Sequence, residues 1–234
     1  MAQYINPQLD LEQIERQLHG SGRVLIHDFF KPEVVEALAV AVGQIDWALT
    51  YRDTQGDRRL DGAALRALTP PQKIALTEGI LNVARHEFQF SFLTDSLADA
   101  VRRGDAGLLS RFMRWMADEA FLSLMRKLSG IPEINRLYAQ ATMYSRGNFL
   151  TAHDDHVGVE RRRLAYVVNL TRHWRADWGG LLQFTAADGS VLDTYFPHFN
   201  SLALFTVPQL HHVSYVAPYA MGERTAITGW LIAA

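Results

Sequence analysis

The pattern of hydrophobic positions changes near Pro132. Before it, apolar residues recur three or four positions apart, which is the spacing of helices with one buried face. After it, short runs rich in Val, Ile, Thr and aromatic residues alternate with glycine-containing turns, as in the strands of a sandwich or barrel. We therefore expect a mostly helical first part and a β-rich second part.

The elements of the first part are bounded by ordinary start and stop residues. Proline is tolerated in a first helical turn, threonine favours the N-cap, and glycine ends helices. The predicted elements are a helix from Leu11 that stops at Gly20, a strand over 23–30, a helix from Pro32, helices that begin at Thr69 and at Thr94, and one long helix over 110–128 that Gly130 closes.

The second part shows six strand-like runs and no linker that would separate two folding units. We predict one domain over 1–234, in which about 1–135 is mostly helical support and about 136–234 is a β core that carries any metal site. The fold class is α+β, mainly β. The predicted strands cover 137–144, 163–170, 181–185, 191–196, 201–207 and 224–232.

Composition narrows the chemistry. The 234 residues carry 23 basic and 25 acidic side chains, a net charge of −2, so no basic field attracts nucleic acid or an anionic membrane. No apolar run reaches the roughly 18 residues of a membrane span, and the first residues lack a signal-peptide pattern, so we expect a cytoplasmic protein. The absence of cysteine excludes thiolate ligands and cysteine nucleophiles, which leaves histidines and carboxylates to hold any metal.

A His-x-Asp pair, His153 and Asp155, is the first concentrated set of metal-capable side chains. On an extended strand alternate residues point the same way, so we expect these two to share a face. His211, between two strand-like runs, completes two histidines and one carboxylate. That set is typical of non-haem Fe(II) oxygenases, although a zinc hydrolase uses similar ligands.

Arg224 favours the oxygenase. It begins the last strand, and a guanidinium that points into a barrel is costly unless it meets an anion, which a dicarboxylate cosubstrate supplies. A zinc hydrolase would also need a general-base motif such as His-Glu-x-x-His, which the sequence lacks.

The motifs as a whole resemble the Fe(II)- and 2-oxoglutarate-dependent dioxygenases, in their prolyl 4-hydroxylase-like branch. Tyr144-x-x-Gly147-x-x-Leu150-x-x-His153-x-Asp155 is similar to the family's first metal segment, with leucine in place of its second tyrosine. Trp178-Gly179-Gly180-Leu181 resembles a family strand, His211-x-Val213-x-x-Val216 resembles the distal-histidine pattern, and Arg224…Gly229-Trp230 resembles the closing strand. The likeness covers roughly the last 90 residues.

The resemblance implies a double-stranded β-helix, or jelly-roll, with N-terminal supporting helices. It implies Fe(II) held by His153, Asp155 and His211, since the family pattern selects His211 over His212. It further implies 2-oxoglutarate and O2 as cosubstrates, ascorbate as a reductant, and hydroxylation of an unactivated C–H bond with release of succinate and CO2. The four expected catalytic residues are the three ligands and Arg224, which would bind the distal carboxylate.

Further cosubstrate contacts are predicted around Arg224. Tyr144 stands where a family tyrosine bonds 2-oxoglutarate, although a buried tyrosine bonded to backbone explains it as well. Asn169 replaces a family tyrosine. By strand parity Trp230 faces the same way as Arg224, and with Val213 and Leu182 it would form an apolar wall around the cosubstrate carbons; its alternative role is core packing.

The substrate is predicted to be a prolyl residue of a peptide or protein, with a small molecule as the alternative. Phe88, Phe90 and Phe92 would form a substrate lid or simply pack the helices onto the barrel. A nucleic-acid demethylase is disfavoured because its second arginine would fall at Trp230. A cupin-like metal-binding sensor without turnover remains open.

Overall fold

The computed structural model describes residues 4–233. Within them the α-helices precede residue 130, a short 3-10 helix covers Ala176–Trp178, and no helix is long and apolar enough to span a membrane. The helices are α1 Leu11–Ser21, α2 Pro32–Val42, α3 Gly62–Ala67, α4 Pro70–Ala84, α5 Leu97–Arg102, α6 Leu108–Met116 and α7 Glu119–Ser129. The strands are β1 Arg23–Ile26, β2 Ala48–Asp53, β3 Gly56–Leu60, β4 Phe90–Ser96, β5 Ile134–Tyr144, β6 Phe149–His153, β7 Arg162–Asn169, β8 Leu182–Thr185, β9 Val191–Tyr195, β10 Ser201–Thr206, β11 His211–Val213 and β12 Arg224–Ala233.

The strands form one antiparallel sheet that curls into a nearly closed barrel. Its order is β1-β10-β7-β12-β5-β4-β6-β11-β8-β9, and the β2–β3 hairpin is attached through β4. The long central strands β5 and β12 pair over almost their whole length, from Arg224 opposite Tyr144 outward. This architecture confirms the predicted mainly β, jelly-roll fold class with supporting helices.

The two faces of the sheet have separate cores. Along β10, Leu202 and Leu204 pack in the large core that the helices cover, whereas Ala203 and Phe205 belong to the barrel interior. The period of two residues is that of a strand with both faces buried. The helices thus cover the outer face and leave the inner face to the functional site.

The long helix predicted over 110–128 is two helices. Asp118 interrupts it by capping α7, with its carboxylate accepting from the Glu119 N–H. The helix start predicted at Thr94 is also wrong: Thr94 lies within β4, and α5 begins at Leu97 with Ser96 as its cap. In both cases the start of the helix is set by a capping residue that was not predicted, Asp118 for α7 and Ser96 for α5.

The first part of the chain also adds strands that its sequence does not suggest. Strand β3 is short and mostly polar, β2 turns polar at its end, and in β4 the apolar alternation is confined to Phe90-Ser91-Phe92, so none of them carries a long alternating run. Strand β1 is shorter than predicted and ends at Ile26, and α1 continues to Ser21, where Gly22 takes the left-handed conformation (φ 72°) that ends it.

Candidate metal and cosubstrate site

Two histidines meet across a pair of antiparallel strands. His153 ends β6, His211 begins β11, and the two residues are register partners. The Nδ1–H of His153 donates to the Thr151 carbonyl at 3.0 Å, and that of His211 donates to the Gln209 carbonyl at 2.7 Å. A carbonyl on Nδ1 sets the tautomer in which Nε2 carries a lone pair, so both Nε2 atoms are prepared to bind a metal.

Asp155 completes the group, but not by strand alternation. Strand β6 ends at His153, and Asp155 adopts a left-handed backbone conformation with φ of 61°. This turn brings its carboxylate to 3.4 Å from His153 Nε2 and 3.5 Å from His211 Nε2. The three ligand atoms lie within 4.8 Å of one another, which suits a single ion held on one side.

The neighbouring candidates point elsewhere. Asp154 is exposed and accepts the backbone N–H of His156 at 2.9 Å. His212 lies with its Nε2 3.0 Å from the Gln183 Oε1, away from the triad. Among the described residues, no second group of this kind was found besides the His153, Asp155 and His211 set.

The pKa values of the triad suit a metal site. Burial of His211, together with the nearby His153, lowers the pKa of its imidazole to about 4, so it is neutral at pH 7. Burial alone would raise the pKa of the Asp155 carboxyl, but the neighbouring His153 and His211 side chains outweigh burial and hold it below its usual value. A neutral His211 imidazole and an ionised Asp155 carboxylate are the protonation states that metal ligands require.

Arg224 lies deep in the same cavity and is 4% exposed. Its Cζ sits 5.4 Å from the centre of the Tyr144 ring, but Nε and one Nη have no hydrogen-bond partner. Burial lowers the pKa of the guanidinium. A buried cation with unsatisfied N–H groups is strongly unfavourable on its own, so the site is built for an anion.

An aromatic row joins the histidine ligand to this arginine. The ring of Phe88 lies 5.5 Å from that of His153, Phe90 and Phe92 follow at 5.9 and 5.6 Å, and Phe92 stacks on Tyr144 at 5.1 Å. Phe90 and Phe92 belong to β4, so the structure places them in the cavity wall. Burial raises the pKa of the Tyr144 hydroxyl, which therefore stays protonated as a potential donor.

Trp230 faces the cavity as strand parity predicts, because β12 runs without a register shift from Arg224 to Trp230. Six residues at about 3.3 Å each separate the two by about 20 Å along the strand. The indole stacks between Tyr138, at 5.7 Å, and the Arg162 guanidinium, at 3.7 Å. Its buried nitrogen has no hydrogen-bond partner. The Arg162 guanidinium on the indole also lies 3.8 Å from the Asp155 carboxylate, so Trp230 stands at the metal end of the cavity.

Of the other predicted cosubstrate contacts, two line the cavity and one does not. Leu182 and Val213 are buried register partners that line the cavity, and Val213 packs in one cluster with Tyr144. Asn169 is buried opposite Ala226, and its amide donates to Ser201 Oγ at 3.0 Å while its Oδ1 has no partner. The residues that line the cavity do not include Asn169.

Two glutamines that the sequence did not single out support the ligands. Gln89 is fully buried, and its side chain bonds the N–H and carbonyl of Arg52 and the Ile80 carbonyl. Its backbone bonds Thr151, whose carbonyl orients His153. The supporting role of Gln89 is visible only from its contacts with Arg52 and Thr151, which lie 37 and 62 positions away in the sequence.

Gln209 is the second of them. Its carbonyl holds His211, while its side chain donates to the Gly22 carbonyl and accepts from Arg23. The distal ligand is therefore tied to the first strand of the chain.

The triad, Arg224, the aromatic row and Trp230 open into one cavity of about 900 Å³. Its inner end holds Arg224 and Tyr144, which are buried. Its mouth includes the exposed residues Arg136 and Val159 and the half-buried Arg58. The arrangement provides a cation-lined inner end, a metal-capable triad and an open approach.

A family comparison agrees with this geometry. Residues 139–232, from β5 to the end of β12, match the model of the 2OG-Fe(II) oxygenase superfamily. The resemblance to the 2-oxoglutarate- and Fe(II)-dependent oxygenases predicted from the motifs is confirmed over these residues.

One curated relative and several solved structures are similar to this chain. Mouse prolyl 3-hydroxylase OGFOD1 is 29% identical over 125 residues, which are 50% of this chain but only 22% of that protein's length. A Pseudomonas putida prolyl-4-hydroxylase superposes with a TM-score of 0.65 at 18% identity and covers 96% of this chain and 99% of its own. A Trichoplax adhaerens prolyl hydroxylase, solved with a hypoxia-inducible-factor peptide, has a TM-score of 0.60 at 16% identity and covers 97% and 94%.

Proposed function

We propose that the protein hydroxylates a prolyl residue of a peptide or protein, with Fe(II) as metal and 2-oxoglutarate and O2 as cosubstrates. The balanced reaction converts R–H, O2 and 2-oxoglutarate into R–OH, succinate and CO2. The substrate class is supported by the prolyl hydroxylases among the relatives. The observation that carries the reaction type is the buried, unpartnered Arg224 in the same cavity as the triad.

The residues present fit the iron and its cosubstrate. His153, Asp155 and His211 would hold Fe(II) on one side and leave its remaining positions for ligands. Arg224 would bind the distal carboxylate through its unpartnered guanidinium nitrogens, and the nearby Tyr144 hydroxyl would donate to the same group. The bound iron and 2-oxoglutarate supply the O2-activating chemistry.

The rest of the chain contributes geometry and the exclusion of water. The Thr151 and Gln209 carbonyls hold the imidazole rings in place, so the metal site is ordered before the ligands arrive. Val213 and Leu182 are buried apolar residues of the same cavity and would help to keep water from the arginine, which would strengthen its attraction for a carboxylate. The open mouth admits a polypeptide segment to the triad.

The test is 2-oxoglutarate turnover by the purified chain with Fe(II) and ascorbate. We expect succinate to form, faster when proline-containing peptides are added, and a peptide mass gain of about 16 Da for one added oxygen atom. His211→Ala should abolish both signals, and the matched variant His212→Ala should keep them because His212 bonds Gln183 outside the triad.

The outcomes separate the alternatives. Metal and 2-oxoglutarate binding without succinate under any condition would identify a sensor and contradict the proposal. Succinate formation that responds to a small metabolite, and not to any peptide, would keep the reaction and refute the prolyl substrate.

A further inference from the structure

The mouth of the cavity is rich in charges that neutralise one another. Most of its arginines and carboxylates are held in ion pairs with neighbours on the same loop or hairpin. The pairs are Arg58 with Asp53 at 2.5 Å, Arg52 with Asp57 at 2.9 Å, and Arg162 with Glu160 at 2.8 Å. Groups that already have partners offer little to a substrate.

Arg136 is the exception. It is exposed on β5 and lines the cavity, yet it makes no ion pair or side-chain hydrogen bond within residues 4–233. The remaining carboxylate of the mouth, Asp154, accepts the backbone N–H of His156 and belongs to the turn after β6. The mouth therefore presents one arginine that none of the described residues satisfies.

The position of Arg136 relates it to the metal site. It shares a strand face with Tyr138, whose ring stacks on Trp230, and the Arg162 guanidinium on that indole lies 3.8 Å from Asp155. Arg136 is two residues farther out along β5, about 7 Å by strand geometry. An extended peptide advances about 3.3 Å per residue, so a side chain two to four residues from the reacting one would reach it.

We propose that Arg136 binds a carboxylate side chain of the substrate, an Asp or Glu placed two to four residues from the hydroxylated proline. The inference rests on the proposed function, since it requires a peptide substrate. A guanidinium recognises a carboxylate through two parallel hydrogen bonds. Because the pair is exposed, we expect an effect of about fivefold, weakened by salt.

The experiment measures binding and turnover of synthetic peptides. Each contains one proline in an otherwise neutral sequence, with a single Asp placed in turn at every position from four before to four after it. A matched set carries Asn, and a third set carries Lys. Dissociation constants are measured by fluorescence anisotropy on the full chain with Fe(II) and 2-oxoglutarate under nitrogen, and hydroxylation is measured by mass after air is admitted.

Three variants are compared with the wild type. Arg136→Gln removes the charge, Arg136→Glu reverses it, and Arg16→Glu is the control, because Arg16 is a 69%-exposed residue of α1 that does not line the cavity. Melting temperatures verify that each variant folds. The wild type and Arg16→Glu should bind the best Asp peptide about fivefold more tightly than its Asn partner, Arg136→Gln should lose this preference, and Arg136→Glu should prefer Lys.

Each remaining result is decisive. Equal binding and hydroxylation of Asp and Asn peptides by the wild type, or an Asp preference that survives in Arg136→Glu, would overturn the role of Arg136 and leave the proposed function intact. Failure of all peptides to bind or react, with succinate formed on other substrates, would overturn both.

Discussion

Arginines occupy both ends of the cavity, and their surroundings differ. At the inner end Arg224 is 4% exposed and two of its nitrogens have no partner. At the mouth Arg58 and Arg162 are satisfied by carboxylates, and Arg136 is exposed to water. Of these four arginines, Arg224 alone is both buried and unsatisfied, and a bound anionic ligand would relieve that unfavourable energy.

The difference separates binding strength from selectivity. Away from water a charge pair is weakly screened, so a carboxylate at Arg224 contributes much to affinity. At the mouth, water and salt reduce each pair to about 1 kcal/mol or less. We infer that the inner end fixes the class of cosubstrate, and that the mouth selects among substrates of one class.

The largest effect is expected at the triad, which lies between the two ends. Asp155→Ala removes the one anionic ligand and should reduce turnover by about 1,000-fold or more, while the melting temperature of the metal-free protein changes little. Metal affinity measured by calorimetry checks the cause. Tight metal binding with full turnover in Asp155→Ala would show that another carboxylate is the ligand.

Arg224 should give the next largest effect. Arg224→Ala should weaken 2-oxoglutarate binding about 100-fold, and Arg224→Lys by somewhat less, because an ammonium cannot reproduce the planar fork. Without cosubstrate, Arg224→Met should melt no lower than the wild type, since it removes an unsatisfied buried charge. Unchanged 2-oxoglutarate affinity in Arg224→Ala would contradict the assignment.

A third prediction concerns the support of the metal end. Gln89→Ala leaves the N–H and carbonyl of Arg52 and the Ile80 carbonyl without partners, so it should cost about 3 kcal/mol in the free energy of unfolding. Urea denaturation measures this loss. The exposed Gln55→Ala is a suitable control, and equal stability of the two variants would show that water replaces the lost bonds.

Sequence reasoning was most successful where one strand carries the signal. The parity of Arg224 and Trp230 holds because β12 has no bulge between them. It failed as a geometric argument for Asp155, whose left-handed backbone no pattern of residue types reveals, although the residue itself joins the predicted group. Local periodicity reports on a regular element, and the site is built where β6 stops being regular.

Contacts between residues far apart in the sequence could not be predicted from the sequence either. Gln89 reads as a polar residue in an aromatic run, yet it is fully buried and joins β2, α4 and β6. The distance along β12 from Arg224 to Trp230 could have been counted, but which end faces the metal depends on how the barrel closes. Such information belongs to the topology and is absent from any single segment.

The smallest expected effect concerns which apolar side chains belong to the Arg224 end of the cavity and which to the metal end. The sequence groups Trp230 with Val213 in one wall around the cosubstrate, whereas in the structure Val213 packs with Tyr144 and Trp230 stacks on Arg162 near Asp155. Trp230→Phe should therefore leave 2-oxoglutarate affinity within about twofold, and lower the melting temperature by a few degrees through lost packing. Val213→Ala should weaken 2-oxoglutarate binding more, because it opens the region of Arg224 to water. Calorimetric titration of both variants decides the matter: a larger loss of affinity in Trp230→Phe would restore the indole to the cosubstrate wall, and the inner end would then reach as far as the metal.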